Sequence, residues 1–203
     1  GNQPQQRAAL QFGLLRHQGD WNPDSNSIYQ LIRFAALRTS IPVAYDMKSV
    51  DAEVEQIAET PLLIMTGMDE PQLNEKELAV LQRHLQAGGF LFINNTSGFA
   101  KFDREARALI ARLLPEHSLQ SVSADHNLYH SLYDIQELRR AGGGQAGPPD
   151  LEAVFVGERA AIVYSPTDTL GMMKGVHDPY ANTYDSDSAQ RLALNVLCYA
   201  MQQ

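Results

Sequence analysis

The chain of 203 residues is 44% hydrophobic, enough for one large domain or two very small ones and enough to bury a core without a disulfide or metal staple. Its 16 Lys and Arg stand against 24 Asp and Glu, a formal charge of −8 with the cations scattered; this argues against a nucleic-acid partner, whose phosphates need clustered cations. No apolar run approaches the roughly 18–20 residues of a membrane span, and the single cysteine excludes a disulfide framework and a Cys-based zinc cluster.

Gly1-Asn2-Gln3-Pro4-Gln5-Gln6 is polar and lacks an initiator Met, so residues 1–7 are expected to form a flexible segment. An exported or periplasmic chain processed at that end is the expected setting. A fragment of a longer cytoplasmic chain is the alternative, and one cysteine suits both. Residues 8–15 alternate Leu10, Phe12 and Leu14 with Gln11 and Gly13, a strand signal. Turn residues fill 19–24. A helix is expected from Ser25 or Asn26, with Ile28, Leu31, Ile32 and Ala35 as its stripe and Pro42 as its stop. Residues 43–45 make a weak second strand.

Residues 62–65 form a short unbroken apolar run, as in strands covered on both faces. Asn74 and Glu77 make a capping box for a helix that lines Leu78, Leu81 and Leu85 along one face, and Gly88 suits its left-handed end. Residues 90–93 repeat the buried-strand pattern. A further helix is expected from Asp103, burying Leu109, Ile110, Leu113 and Leu114 and halting at Pro115. From 117 to 150 the pattern is irregular, and the glycines and prolines of 141–149 predict a flexible excursion. Residues 154–156 and 160–164 read as a hairpin or two successive strands turning at Gly157-Glu158. The last helix, capped by Asp185 or Ser186, carries Ala189, Leu192, Ala193, Val196, Leu197 and Ala200 in one stripe.

This alternation of short apolar strands with helices predicts a three-layer α/β/α sandwich around a mostly parallel sheet. Such sheets hold ligands outside the carboxyl ends of their strands, so the loops at 16–24, 66–71, 94–99 and 165–171 are where chemistry is expected. Asp20, Trp21 and Asn22 supply a stacking face beside oriented hydrogen bonds, which suits a sugar or planar ligand. They equally suit a tryptophan plugging the sheet end while its neighbours bond their own turn. Asn94, Asn95, Thr96 and Ser97 stand where a strand–turn–helix elbow presents a nucleophile, but Asn95 replaces the first glycine of G-x-S-x-G, so a turn or cap role competes. Asp125, His126, His130 and Asp134 form the densest titratable cluster, open to a polar ligand, a metal or loop anchoring. Asp168 and Ser165 end a strand on the same rim, and His177 is a possible general base. Cys198 reads as an inert packed thiol.

Gly19-Asp20-Trp21-Asn22, Thr39-Ser40-Ile41-Pro42-Val43, Met65-Thr66-Gly67 and Gly88-Gly89-Phe90-Leu91-Phe92-Ile93 recur in order and spacing with Phe102-Asp103, Asp125-His126 and His130-Ser131-Leu132-Tyr133-Asp134. Val163-Tyr164-Ser165-Pro166 with Asp168, Leu194-Asn195 and Tyr199-Ala200 complete the set. With these motifs the chain resembles a bacterial domain-of-unknown-function family related in fold to class I glutamine amidotransferases. The resemblance implies a flavodoxin-like, amidotransferase-like single domain over 8–203. Larger relatives with membrane-spanning segments ahead of this domain make it point to the cell envelope. Relatives often carry aspartates in place of Asn94 and Asn95, which removes two carboxylates here. The wider amidotransferase-like group keeps a cysteine nucleophile at the elbow that corresponds to 94–97; none is present, so thiolate glutamine hydrolysis is excluded.

The expected function is a non-amidotransferase ligand-binding or interaction module. Its polar crevice is expected to gather Asp20, Trp21, Asn22, Asn94, Asn95, Thr96, His126, His130 and Asp168, without cofactor or metal. Its partner is expected to be a small polar ligand or an envelope protein, with no nucleic acid and no membrane insertion. The rival is a hydrolase using Ser97 or Thr96 with His126 or His177 as base. A purely structural module of an envelope assembly, carrying an exposed apolar patch, is the third reading.

Overall fold

The computed structural model describes residues 9–171 and 178–203, so the segment 1–7 and His177 lie outside the described residues. β1 (Leu10–Leu15) leads through α1 (Ser25–Arg38) to β2 (Val43–Val50), and then through α2 (Val54–Ala58) to β3 (Leu62–Gly67). α3 (Glu75–Gln86), β4 (Leu91–Asn95) and α4 (Ala100–Leu113) follow, then β5 (Leu119–Ser121) and a ribbon of β6 (Leu138–Arg139) and β7 (Ala146–Gly147). β8 (Glu152–Val156), β9 (Arg159–Ser165) and α5 (Ser186–Met201) complete the chain.

Seven strands form one sheet in the order β2-β1-β3-β4-β9-β8-β5. The first five run parallel, and β8 pairs antiparallel with both of its neighbours. The mostly parallel α/β architecture expected from the alternation is therefore the observed one. Within the unbroken apolar runs, side chains still alternate between two cores, because successive strand residues point to opposite faces. Leu62, Ile64, Phe90 and Phe92 join α1 and α5, whereas Leu63, Met65, Leu91 and Ile93 join α2, α3 and α4.

The capping box forms as the spacing predicts, with Asn74 Oδ1 accepting from Glu77 N at 2.8 Å and Glu77 Oε1 from Asn74 N at 2.9 Å. Asp185 caps α5 by accepting from Ser188 N at 2.8 Å.

Four expectations need correction. α4 begins at Ala100 instead of Asp103, whereas α1 begins at Ser25 as expected, with Asp24 at its N-cap. β2 runs to Val50, well past Tyr45; it is the sheet edge, so solvent covers one side and the apolar alternation that would reveal it is weak. α2 escapes notice because five residues bury only Ile57. The irregular stretch 117–150 contains β5 and the β6–β7 ribbon, each too short to show a period. The β2 edge is also kinked. Register slips between Leu10↔Val43 and Phe12↔Met47, and Gln11 Nε2 donates to Asp46 O at 2.7 Å across the slip. A bulge of this kind blunts an edge that would otherwise pair with another chain.

Candidate functional site

The connection from β1 goes to β2 on one side while β3 lies on the other, so the loops leaving β1 and β3 diverge at their carboxyl ends. Polar side chains stitch those two loops together. His17, buried beneath them, donates from Nε2 to Thr66 O at 2.8 Å and accepts from Gly19 N at Nδ1, 3.0 Å. Both ring nitrogens are thereby committed, and burial holds the imidazole below its ordinary pKa, opposed by the Thr66 carbonyl. Asp20 accepts from Met68 N at 2.8 Å, and Thr66 Oγ1 donates to Trp21 O at 3.1 Å. Trp21 lies partly buried against the α1/α5 core with the Arg16 guanidinium 5.6 Å from its ring centre, while Asn22 is exposed. In the described residues, Asp20 serves the loop that follows β3 and the Trp21 ring serves the core.

The next two strands end in a tighter construction. Asn94 is fully buried; its Nδ2 donates to Asp168 Oδ1 at 2.9 Å and its Oδ1 accepts from Thr169 N at 2.9 Å. Asn95 closes a local loop with Phe99, donating to its O at 2.9 Å and accepting from its N at 3.1 Å. Asp168, 2% exposed, is the hub. Its Oδ1 also accepts from Leu170 N and Gly171 N, each at 2.9 Å, and its Oδ2 accepts from Ser97 N at 2.8 Å. Ser97 adopts φ 65°, the sole positive φ outside glycine among the described residues. Such a conformation costs on the order of 1–2 kcal/mol, and here it aims the Ser97 N–H at the carboxylate.

A returning segment packs on this elbow. Asn182 N donates to Ser97 O at 2.8 Å, Asp168 N donates to Asn182 O at 3.0 Å, and Asp168 bridges in parallel to Thr183. Gly98, at φ 68°, passes so close that a Cβ there would sit 2.4 Å from Asn182 O. Behind the return, Tyr184 donates its hydroxyl to Asp150, Thr167 Oγ1 donates to Asp150 at 2.6 Å, and Arg140 lies 4.6 Å from the Tyr184 ring centre. Burial pushes the Tyr184 phenol pKa up, so it stays a donor.

Together these loops enclose a cavity of about 230 Å³. Thr96, Ser97 and Asp168 line its strand-end side. Pro23, Asp24 and Met68 wall one flank, and Gly171, Asp178, Ala181 and Thr183 the other. Of the nine residues expected around a shared hollow, Thr96 and Asp168 line it. Asn94 and Asn95 stand buried behind it, and Asp20, Trp21 and Asn22 occupy the neighbouring loop.

His126 and His130 do not join them. The His126 ring packs 5.4 Å from Phe155 and 5.5 Å from Tyr199, and Phe155 pairs with Ala160 at the start of β9. That is the amino edge of the sheet, opposite the cavity. His126 Nδ1 accepts from Leu128 N at 3.1 Å, a local cap, and burial lowers its pKa. His130 ties a surface loop, bonding Asp134 Oδ1 at 2.6 Å and Ala124 O at 2.8 Å. The expected convergence fails for these two because the segment after β5 crosses beneath the sheet toward α5.

The flank at 181–183 is what sequence reasoning missed. Its only signal is the polar Asn182-Thr183 directly ahead of the capped helix, since the pairing to Asp168 is long-range. Among the described residues no group of three or more His, Cys, Asp or Glu side chains is placed to hold a metal ion, and no helix is long and apolar enough to cross a membrane.

Residues 9–201 match the family described as Domain of unknown function (DUF4159), and the chain belongs to that family. No curated protein matches it. Among solved structures it is similar to a protein described as ThuA-like from Bacteroides uniformis, at 10% identity over 98% of this chain and 95% of that one, with a TM-score of 0.46.

Proposed function

We propose that this member of the DUF4159 family binds a small, neutral, polyhydroxylated ligand at the carboxyl edge of its sheet and does not transform it. The observation that carries this reading is the position of the Asp168 carboxylate, which fills the backbone N–H groups of Ser97, Leu170 and Gly171. Backbone donors gathered beside a helix start would ordinarily cradle a phosphate or a developing oxyanion. Here the protein's own anion occupies them, which disfavours both phosphate binding and an acyl-transfer oxyanion hole.

What faces the cavity suits hydroxyl groups. Thr96, Ser97 and Thr183 each both donate and accept, the Asp24, Asp168 and Asp178 carboxylates accept, and among the described residues no Lys or Arg lines it. Pro23, Met68 and Ala181 supply apolar surface for a ring. At about 230 Å³ the space is below the ~300–1,000 Å³ of drug-sized sites, so a single ring is the expected size. The hydrolase alternative lacks its base among the described residues, because His126 packs at the opposite edge and His130 on a surface loop.

The test is isothermal titration of the full chain with monosaccharides and cyclitols beside inorganic phosphate and nucleotides. Binding of a neutral polyol, weakened by Thr183→Val and Asp178→Asn, supports the reading. Tighter binding of phosphate or nucleotides, or polyol binding indifferent to both substitutions, overturns it.

A further inference from the structure

We infer that His17 is a proton switch on the crevice: polyol binding is lost when its imidazole takes up a second proton, an inference that rests on the crevice reading above. His17 joins the two loops that carry one flank of the cavity. Its own loop runs on through Trp21 to Pro23 and Asp24, and the loop after β3 carries Met68; these last three residues line the cavity. The ring is buried and bonds one loop at each nitrogen. Nε2 donates to Thr66 O at 2.8 Å, and Nδ1 accepts from Gly19 N at 3.0 Å. Only a neutral imidazole can donate at one nitrogen and accept at the other.

A second proton turns Nδ1 from acceptor to donor and sets it against the Gly19 N–H. A small shift does not relieve that clash. Gly19 passes so close to the loop after β3 that a Cβ there would lie 2.2 Å from Glu70 O, so the loop has to part from its neighbour. The charges around the ring act in the same direction. Asp20 of its own loop and Glu77 of α3 both attract the imidazolium, while β3 offers the Thr66 carbonyl. The loop after β3 adds Glu70 and Asp69, the latter paired with Lys101. Asp20 exerts the larger pull of the two on the ring, yet its carboxylate also accepts from Met68 N at 2.8 Å. The imidazolium therefore competes with the amide of a cavity residue. Burial holds the neutral ring below its ordinary pKa of 6.5, against the Thr66 carbonyl, Asp20 and Glu77. The join is thus closed at neutral pH, and acid favours the open loop, where the ring accepts its proton more readily.

Trp21, the chain's single tryptophan, lies in this loop with its ring partly buried against the α1/α5 core, so its emission reports the opening. The experiment follows Trp21 fluorescence and far-ultraviolet circular dichroism of the full chain from about pH 7.5 to about pH 5. The monosaccharides and cyclitols of the crevice titration are titrated at both ends of that range. Trp21 emission is expected to change below pH 6.5 while circular dichroism holds, with polyol affinity about tenfold weaker at the acid end. Saturating polyol should move the midpoint to lower pH, because ligand and proton oppose each other reciprocally. His17→Gln, which does not titrate, should remove the transition and flatten the affinity profile, whereas His126→Leu at the other edge should keep both. Should His17→Gln fail to fold, nitrogen-15 NMR of the wild-type ring decides: protonation of Nδ1 has to coincide with a shift of the Gly19 amide. The inference is overturned if Trp21 emission changes only as circular dichroism is lost, or if the transition survives in His17→Gln. A polyol bound equally at both ends of the range overturns the switch alone. Absence of polyol binding at every pH takes the crevice reading down with it.

Discussion

The two edges of the sheet solve opposite problems. At the carboxyl edge, strands give way to loops and helix starts, which leave backbone N–H groups without partners. That edge is accordingly furnished with acceptors: Asp20 on Met68 N, Asn94 on Thr169 N, and Asp168 on three backbone amides. At the amino edge helices end, leaving carbonyls free, and the furnishing is a donor, Arg159 on Leu85 O and Gly89 O. Aromatic packing of His126, Phe155 and Tyr199 fills the rest. The difference teaches that most polar residues in strand-end loops of this fold are there to complete the backbone. Ligand-facing groups are the remainder after that demand is met.

Removing the central acceptor should break the carboxyl edge most severely. Asp168→Ala strands the Asn94 amide and three backbone N–H groups in a buried setting. A loss of about 3–5 kcal/mol in urea denaturation is expected. Formate should restore part of it, raising Tm in the variant and not in wild type, because a small anion can reoccupy the emptied nest. Arg159→Met at the other edge should cost about 1–2 kcal/mol and gain nothing from formate, since it frees carbonyls, not N–H groups.

Glycines sharpen the contrast at a smaller scale. Gly98→Ala forces a Cβ onto the Asn182 carbonyl at φ 68°, so backbone must move; about 2–3 kcal/mol is expected, with loss of crevice binding. Gly89→Ala meets only the His84 ring, a side chain that can rotate, and about 1 kcal/mol is expected. Equal costs at the two positions in denaturant titrations would mean the carboxyl edge is no stiffer than the amino edge.

Much of the scaffold is legible in the sequence because it rests on local signals. The Asn74–Glu77 box, the apolar runs at β3 and β4, and the α5 stripe each declare themselves within a dozen residues. The carboxyl-edge loops follow from the parallel sheet, so Thr96 and Asp168 are found at the cavity. What is not legible depends on pairing across long separations. Asp168 meets Asn94, 74 residues away, and Asn195 receives Tyr133 N from 62 residues away, holding the His126–Asp134 segment under α5. Neither distance leaves a period or a spacing to read. Asp20 and Asp168 also show why residue type alone misleads: a carboxylate in a strand-end loop looks the same in sequence whether it faces a ligand or an amide.

The smallest effect tests the comparison through pH. Burial lowers the pKa of His17 at the carboxyl edge and of His84 and His126 at the amino edge below their ordinary 6.5. Below pH 6.5 the unfolded chain binds protons that these native rings refuse, so stability falls as pH drops from 6.5 toward each native value. His130 opposes this weakly, its pKa raised by the Ala124 carbonyl and then by Asp134, but it is exposed. Its contribution is held at low pH and lost as pH rises through its native value. His84 is the clean probe because its Nε2 has no hydrogen bond to lose. His84→Leu should leave stability at pH 7.5 nearly unchanged and make the decline below pH 6.5 shallower. His17→Leu should instead destabilise at every pH by about 1–3 kcal/mol, since it leaves the Thr66 carbonyl and the Gly19 N–H unpaired. If His84→Leu proves as costly at pH 7.5 as His17→Leu, the amino-edge imidazole is bonded after all.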